Sequence, residues 1–145
     1  MSEFFRQASP DLSEDVRRLL HEVDPDAAGA AFTAGCRPSL DILENTDSIE
    51  VVVDVPGVPI DSLKVGVRRT TVVVVGTKPA APLDASARFH LAERSYGRFA
   101  RAIQVAGAVD AARARAVVGD GQLRITLPLV DDRRGRILTI PVERS

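Results

Sequence analysis

The sequence contains few cysteine and histidine residues, which disulfides and zinc sites require. It holds one cysteine, Cys36, and two histidines, His21 and His90. A single cysteine cannot close a disulfide within the chain, so we expect a fold that is stable without one and a reducing compartment. Structural zinc sites take four Cys or His ligands, which so few residues do not supply as a cluster. We therefore predict no metal site.

The chain also lacks an excess of either charge and lacks a long apolar run. Its 19 Lys and Arg residues against 20 Asp and Glu residues leave a formal net charge of -1. Without a basic stripe, we expect neither a nucleic-acid partner nor a membrane surface. The first 20 residues carry acids throughout, so they predict neither a signal peptide nor a membrane span. A cytoplasmic, single-domain protein is the expectation, because 45% of the 145 residues are hydrophobic and can bury a core.

Residues 11–23 show helical periodicity. Apolar residues recur at spacings of three and four, which predicts a short amphipathic helix; they are Leu12, Val16, Leu19, Leu20 and Val23. Asp11 and Glu14 suit the N-terminal cap of this helix. Residues 25–38 are mostly small and include glycine, which predicts a linker.

From Leu40 onward the period changes to two, and β-branched residues dominate. Such patterns predict about seven short strands, and the runs are LDILE, IEVVVDV, LKVGV, TVVVVG, FARAIQV, ARARAVV and QLRITLPL. Turn-forming residues separate them at 45–48, 56–57, 68–70 and 119–121. Because helical spacing is not sustained after Pro38, we predict an all-β fold, a two-sheet antiparallel β-sandwich.

Four motifs in order carry a resemblance to a known family. They are PSLDILE at 38–44, DVPG at 54–57, ERSYGRF at 93–99 and AVVGDGQL at 116–123. They resemble the PxxDIxE, DLPG, ERxYGxF and AxxxnGvL motifs of the small heat-shock proteins of bacterial type, the α-crystallin family. The resemblance implies an immunoglobulin-like α-crystallin domain over residues 38–130. A helical or flexible N-terminal arm over 1–37 and an extended C-terminal tail over 131–145 would flank it.

Single residues of these motifs have expected roles. Gly121 stands where a hairpin turn requires a positive φ, and Leu123 is expected in the core. The resemblance implies that one arginine of the strand around Phe99 lies at a dimer interface, and by position this is Arg98 or Arg101. Charged residues on strands are as often a solvated face of little energetic weight, so both interpretations stand.

A long connection separates two of the predicted strands. Sixteen residues lie between Gly76 and Glu93, and a structureless loop of that length is uncommon in a compact domain. Its prolines and alanines fit a disordered insertion. The resemblance implies instead a strand that is exchanged between two protomers and pairs with the LDILE edge of the partner. Leu83, Phe89 and Leu91 would be its apolar residues, and the protein would be a homodimer.

An enzymatic interpretation has weak support. Cys36 as nucleophile, His21 or His90 as base and Asp41 as orienting group would be the minimum set for acyl transfer. However, Cys36 lies among small residues without a glycine-rich elbow, and phosphate-binding fingerprints are absent. We therefore predict that the protein is not an enzyme and has neither catalytic residues nor a cofactor.

The resemblance implies an ATP-independent holdase, which captures partly unfolded client proteins until ATP-dependent chaperones refold them. Such a protein needs apolar surface that is normally concealed, and the arm supplies Phe4, Phe5, Leu12, Val16, Leu19, Leu20 and Phe32. These residues are equally suited to stabilising an assembly. The alternative function is a β-sandwich adaptor for one specific partner, as in CS-domain co-chaperones.

The C-terminal tail combines a charged segment with an apolar end. Residues 131–136, DDRRGR, predict a solvated tether. The resemblance implies that Ile140 and Val142 dock in a groove of a neighbouring domain and so build a higher oligomer, with walls from Leu63, Val65 and Val67. Alternatively, ILTIPV at 137–142 is a final strand of its own domain.

Overall fold

The computed structural model describes residues 10–23, 36–130 and 137–145. In these ranges the helix α1 (Pro10–Val23) precedes nine strands, whose bounds are β1 (Leu40–Glu44), β2 (Ser48–Asp54), β3 (Lys64–Arg68), β4 (Thr71–Lys78), β5 (Gly97–Gln104), β6 (Arg115–Gly119), β7 (Gln122–Pro128), β8 (Ile137–Ile140) and β9 (Val142–Arg144). Short 3-10 turns lie at Ile60–Ser62 and Ala111–Arg113. The predicted tether at 131–136 and most of the predicted linker lie outside the described residues.

The strands form two sheets. One has five strands in the order β1-β2-β7-β6-β9, and the other has four in the order β5-β4-β3-β8. The described pairs are antiparallel except β6 with β9, which run parallel. The predicted β-sandwich and its seven strands are confirmed, and the C-terminal segment adds β8 and β9.

The space between the sheets holds the main core. Alternate residues of β2, β4, β5 and β7 are buried there, namely Ile49, Val51, Val53, Val72, Val74, Phe99, Ile103, Leu123, Ile125 and Leu127. Fully burying one such side chain contributes about 1.5–3 kcal/mol. The period of two therefore positions each strand with one face inward.

Strand β4 differs from the others because both of its faces are buried. Its residues 71–76 are all buried, at six consecutive positions. Val72 and Val74 point into the main core, whereas Val73 and Val75 belong to a second apolar cluster on the outer face of the four-stranded sheet. A strand that is covered on both faces requires a continuous apolar run, which is the sequence VVVV.

The hairpin between β6 and β7 is hydrogen-bonded to the neighbouring turn after β2 at one end of the sandwich. Asp120 and Gly121 have φ angles of 52° and 74°, as a two-residue type I′ turn demands. The carbonyl oxygen of Gly121 accepts a hydrogen bond from the amide of Val55 at 2.7 Å. This bond ties the hairpin to the turn at Pro56 and Gly57, and Leu123 follows in the core.

Candidate functional site

Two segments from opposite ends of the chain cover apolar surface of the sandwich. The helix α1 lies on the outer face of the four-stranded sheet, against β3 and β4. At the other end of the chain, β8 pairs with β3 and β9 pairs with β6. Apolar surface that is covered by a separable segment is the feature a capture protein requires.

The C-terminal segment passes from one sheet to the other. Ile140 of β8 lies opposite Val65 of β3, and Val142 of β9 lies opposite Ala116 of β6. Pro141 stands between the two strands, where the missing N–H removes no bond from either ladder. The segment therefore closes the side of the sandwich at which β3 and β6 would otherwise be edge strands.

The side chains of this segment complete the main core. Ile140 is buried and Val142 is partly buried, and both pack with the same cluster that contains the predicted groove residues Leu63, Val65 and Val67. The sequence analysis places Ile140 and Val142 on a neighbouring domain. In the described chain they lie instead on their own domain, as a pair of final strands. Docking of the same pair on a second copy stays a prediction.

The helix α1 fits the sheet closely at one glycine. Leu19, Leu20 and Val23 are buried against the outer face of the sheet. A Cβ atom added at Gly66 would overlap Cγ2 of Val23 and lie 3.4 Å from Cδ2 of Leu19. The missing side chain at Gly66 is therefore what allows the helix to approach the sheet backbone.

We call the surface under the helix the helix seat. It consists of Gly66 from β3, Val73 and Val75 from β4, and Ala100 and Ala102 from β5. The sequence analysis missed the seat, although the uninterrupted valine run of β4 is a signal that both faces of this strand are buried.

The predicted client-binding residues fall into two groups. Leu19 and Leu20 lie on the seat and are covered. Phe4, Phe5 and Phe32 lie outside the described residues, as do the side chains of Leu12 and Val16. The part of the arm that is described therefore conceals its apolar face.

Exposed apolar side chains gather at one edge strand and one loop. Within the described residues, the large hydrophobic residues that are exposed are Leu43 (46%), Leu83 (57%), Phe89 (61%) and Leu91 (74%). Leu43 belongs to β1, which is the edge of the five-stranded sheet. The other three belong to the connection between β4 and β5, in which residues 79–95 are all exposed and contain no strand. The sequence analysis assigns these same two segments to the dimer exchange.

Of the two candidate interface arginines, Arg101 points inward. It shares the face of β5 that carries Phe99 and Ile103, while Arg98 lies on the opposite face, where its own side chain is exposed. Nη1 of Arg101 donates a hydrogen bond to the carbonyl oxygen of Pro38 at 2.6 Å. This bond links β5 to the segment before β1, so it joins the two sheets at their exposed edges. Burial, and then the neighbouring Arg37, lower the pKa of the Arg101 guanidinium.

The candidates for acyl transfer lie in different parts of the fold. Cys36 is partly buried against the main core, His21 is exposed in the last turn of α1, and His90 is exposed in the β4–β5 connection. Across residues 10–23, 36–130 and 137–145, no group of three or more Cys, His, Asp or Glu side chains is placed to hold a metal ion. The helices in these same ranges are too short or too polar to cross a membrane.

Comparison with known proteins identifies similar chains. The model of the Hsp20/alpha crystallin family matches residues 41–142. The chain is 29% identical over 119 residues to the 18.9 kDa heat shock protein of Oryza sativa subsp. japonica, covering 81% of this chain and 67% of that one. It is 28% identical over 103 residues to Small heat shock protein C4 of Rickettsia felis, covering 71% of this chain and 63% of that one. This chain thus spans about two thirds of the length of these relatives.

A solved structure shares the fold. Heat shock protein 16.0 from Schizosaccharomyces pombe superimposes with a TM-score of 0.62 at 27% identity, covering 70% of this chain and 94% of that chain. The family match, at residues 41–142, falls on the region that holds the two sheets. It therefore describes the sandwich that positions the seat and the C-terminal strands.

The position of Ile140 gives a test of the tail. We expect Ile140→Ala to lower the free energy of unfolding by about 2–5 kcal/mol, because it removes a buried aliphatic side chain from the main core. Thr139→Ala, at an exposed position of the same strand, is the matched control and should change it by about 0.5 kcal/mol or less. Urea unfolding at two protein concentrations measures both variants. A loss that grows with protein concentration would instead mean that a second copy holds the tail.

Proposed function

The chain belongs to the Hsp20/alpha crystallin family, and from that membership we propose that it is an ATP-independent holdase. In this role the protein binds partly unfolded proteins in the cytoplasm and keeps them from aggregating until ATP-dependent chaperones refold them. The family and the structural neighbour support a chaperone role. The proposal treats residues 1–37 as the arm that captures clients, residues 38–130 as the scaffold and residues 131–145 as the anchor.

The observation that carries this proposal is the contact between the apolar face of α1 and the outer face of the four-stranded sheet. Leu19, Leu20 and Val23, on a helix of 14 residues, are buried in one cluster with residues of the sheet. A helix of this length is marginal by itself, because ordering its backbone opposes folding by about 1 kcal/mol or more per residue. The burial of three aliphatic side chains, at about 1.5–3 kcal/mol each, offsets only part of that cost. The contact is therefore weak enough to open while the sandwich stays folded.

The apolar contact also explains how such a protein works without ATP. Burial of apolar surface is non-directional, so one surface accepts many client sequences. A heated or partly unfolded client exposes apolar segments that compete with this contact between helix and sheet. Binding then shifts the population of the chaperone toward its open state, and the free energy comes from the new contact.

The assembly we propose is a homodimer that is built by strand exchange. The backbone groups on the outer edge of β1 face no strand in the described chain, and such an edge invites pairing with another strand. The connection between β4 and β5 carries Leu83, Phe89 and Leu91 on an exposed segment. Pairing of this segment with β1 of a second copy would bury these side chains and Leu43 together.

The holdase function predicts the outcome of an aggregation assay. The protein, added at about one chain per client, should suppress the light scattering of two unrelated proteins, one unfolded by heat and one by reduction of its disulfides. Suppression should not depend on added ATP. An equal mass of an inert protein is the control. Suppression of one client alone, or of neither, would contradict a holdase and favour the adaptor.

The exchanged segment predicts a change in assembly. Deletion of residues 83–91 should yield a folded monomer at micromolar concentration in sedimentation velocity, because it removes the strand that the partner would receive. The matched control keeps the loop and replaces its polar residues, as Arg88→Ser with His90→Ser, and should remain a dimer. A dimeric deletion variant would refute the exchange.

A further inference from the structure

The helix seat has a defined shape. Gly66, Val73 and Ala102 lie side by side in register across β3, β4 and β5, and Val75 and Ala100 form the next row. Its outer strands thus contribute only small residues, and its central strand contributes two valines. The result is an apolar surface with its valines along the middle and room for close backbone approach at Gly66.

The helix seat accepts a particular pattern of side chains. The present occupant places Leu19, Leu20 and Val23 on it, which are positions i, i+1 and i+4 of a helix. These residues project from one helical face, whereas an extended segment would turn Leu19 and Leu20 to opposite sides. The seat is therefore a surface for a helix that carries branched aliphatic residues on one face.

Basic residues surround the seat. The outward positions next to it on the same strands are Lys64 and Arg68 on β3 and Arg98 on β5. The sequence of α1 carries Asp11, Glu14 and Asp15 in its first turns. Opposite charges at the rim of an apolar contact favour correct pairing and raise the association rate. The chemistry around the seat thus favours a helix that also carries acidic residues.

We propose that the seat is itself a client-binding surface, which takes an amphipathic, acidic helical segment of a partly unfolded protein in place of α1. The inference rests on the proposed holdase function and deepens it, since it assigns capture to the sheet as well as to the arm. In the resting chain α1 occupies the seat. A client helix displaces it by burying the same kind of face, as helix-in-groove recognition does elsewhere.

A reversible crosslink between helix and seat tests this exchange. A Cβ atom at position 66 lies 3.8 Å from Cβ of Val23, within the range of disulfides. Val23→Cys with Gly66→Cys, in a Cys36→Ala background, should therefore form a disulfide that holds α1 on the seat. We expect the oxidised form to require about fivefold or more protein than its reduced form for half suppression of heat aggregation, because the closed state is the only one left.

The crosslink experiment separates the inference from the function. The two single-cysteine variants, treated with the same oxidant, are the controls and should show no difference between oxidised and reduced forms. If the oxidised crosslinked form suppresses aggregation as well as the reduced form does, the seat is not a client surface, although the holdase function stands. If the unmodified chain suppresses nothing, the holdase function itself fails.

A second pair of variants separates the seat from the helix as the client surface. Leu20→Asp places a charge on the buried face of α1 and should release the helix while the seat stays intact. We expect this variant to reach half suppression with about threefold less protein than the parent, because the seat is open more of the time. Adding Val73→Thr and Val75→Thr makes the seat polar with nearly the same shape and should abolish the gain. Lower activity of Leu20→Asp alone would assign capture to the helix and overturn the proposal.

Assembly provides the remaining readout. If the seat instead binds α1 of a second copy, the oxidised crosslink should reduce the size of the assembly in sedimentation velocity and leave client suppression unchanged. That result would overturn the proposal. Unchanged assembly and reduced suppression in the crosslinked form, together with the gain in Leu20→Asp, support it.

Discussion

The structure depends on the burial of β4 on both faces. Four consecutive valines cannot be half exposed without leaving a large apolar surface in water, so this strand needs one cover between the sheets and another outside them. The five-stranded sheet provides the first cover, and α1 provides the second. The first is a large interdigitated core, whereas the second is one short helix. We therefore expect the two covers to differ in how readily they open, with the sandwich as the scaffold and α1 as the part that can leave it.

A separate chain segment also covers the strand edges at one side of the sandwich. Both β3 and β6 would be edge strands without the C-terminal segment, and that segment supplies one strand to each sheet on either side of Pro141. On the opposite side, β1 and β5 are the edges, and the bond from Arg101 to Pro38 joins them. The C-terminal strands thus close one side, and among residues 10–23, 36–130 and 137–145 no strand pairs with the outer edge of β1 on the other side. A strand edge of this kind invites pairing with another chain, and the exposed Leu83, Phe89 and Leu91 of the β4–β5 connection are apolar residues that such pairing could bury.

Local patterns predicted most of the fold. The helix at residues 11–23 and the seven strands followed from periods of 3.6 and two, because each period reports which face of a single element is buried. The helix seat did not follow, since which surface a helix covers is a tertiary contact between Leu19 and residues more than 40 positions away. The valine run of β4 and the glycine in the middle of β3 were the available signals. Alternation from Phe99 would likewise have separated Arg101 from Arg98. Whether a tail docks on its own domain depends on the path of the chain, which side-chain patterns do not report.

The central claim is that α1 leaves the four-stranded sheet when a client binds, while the sheet itself stays intact. Amide hydrogen exchange, followed by mass spectrometry with and without an unfolding client, tests it directly. We expect faster exchange in residues 17–23 when the client is present. Residues 71–78 should keep their protection, because their amides are bonded to β3 and β5. Unchanged exchange in residues 17–23 with the client bound would mean that α1 stays on the sheet and that the proposed opening is wrong.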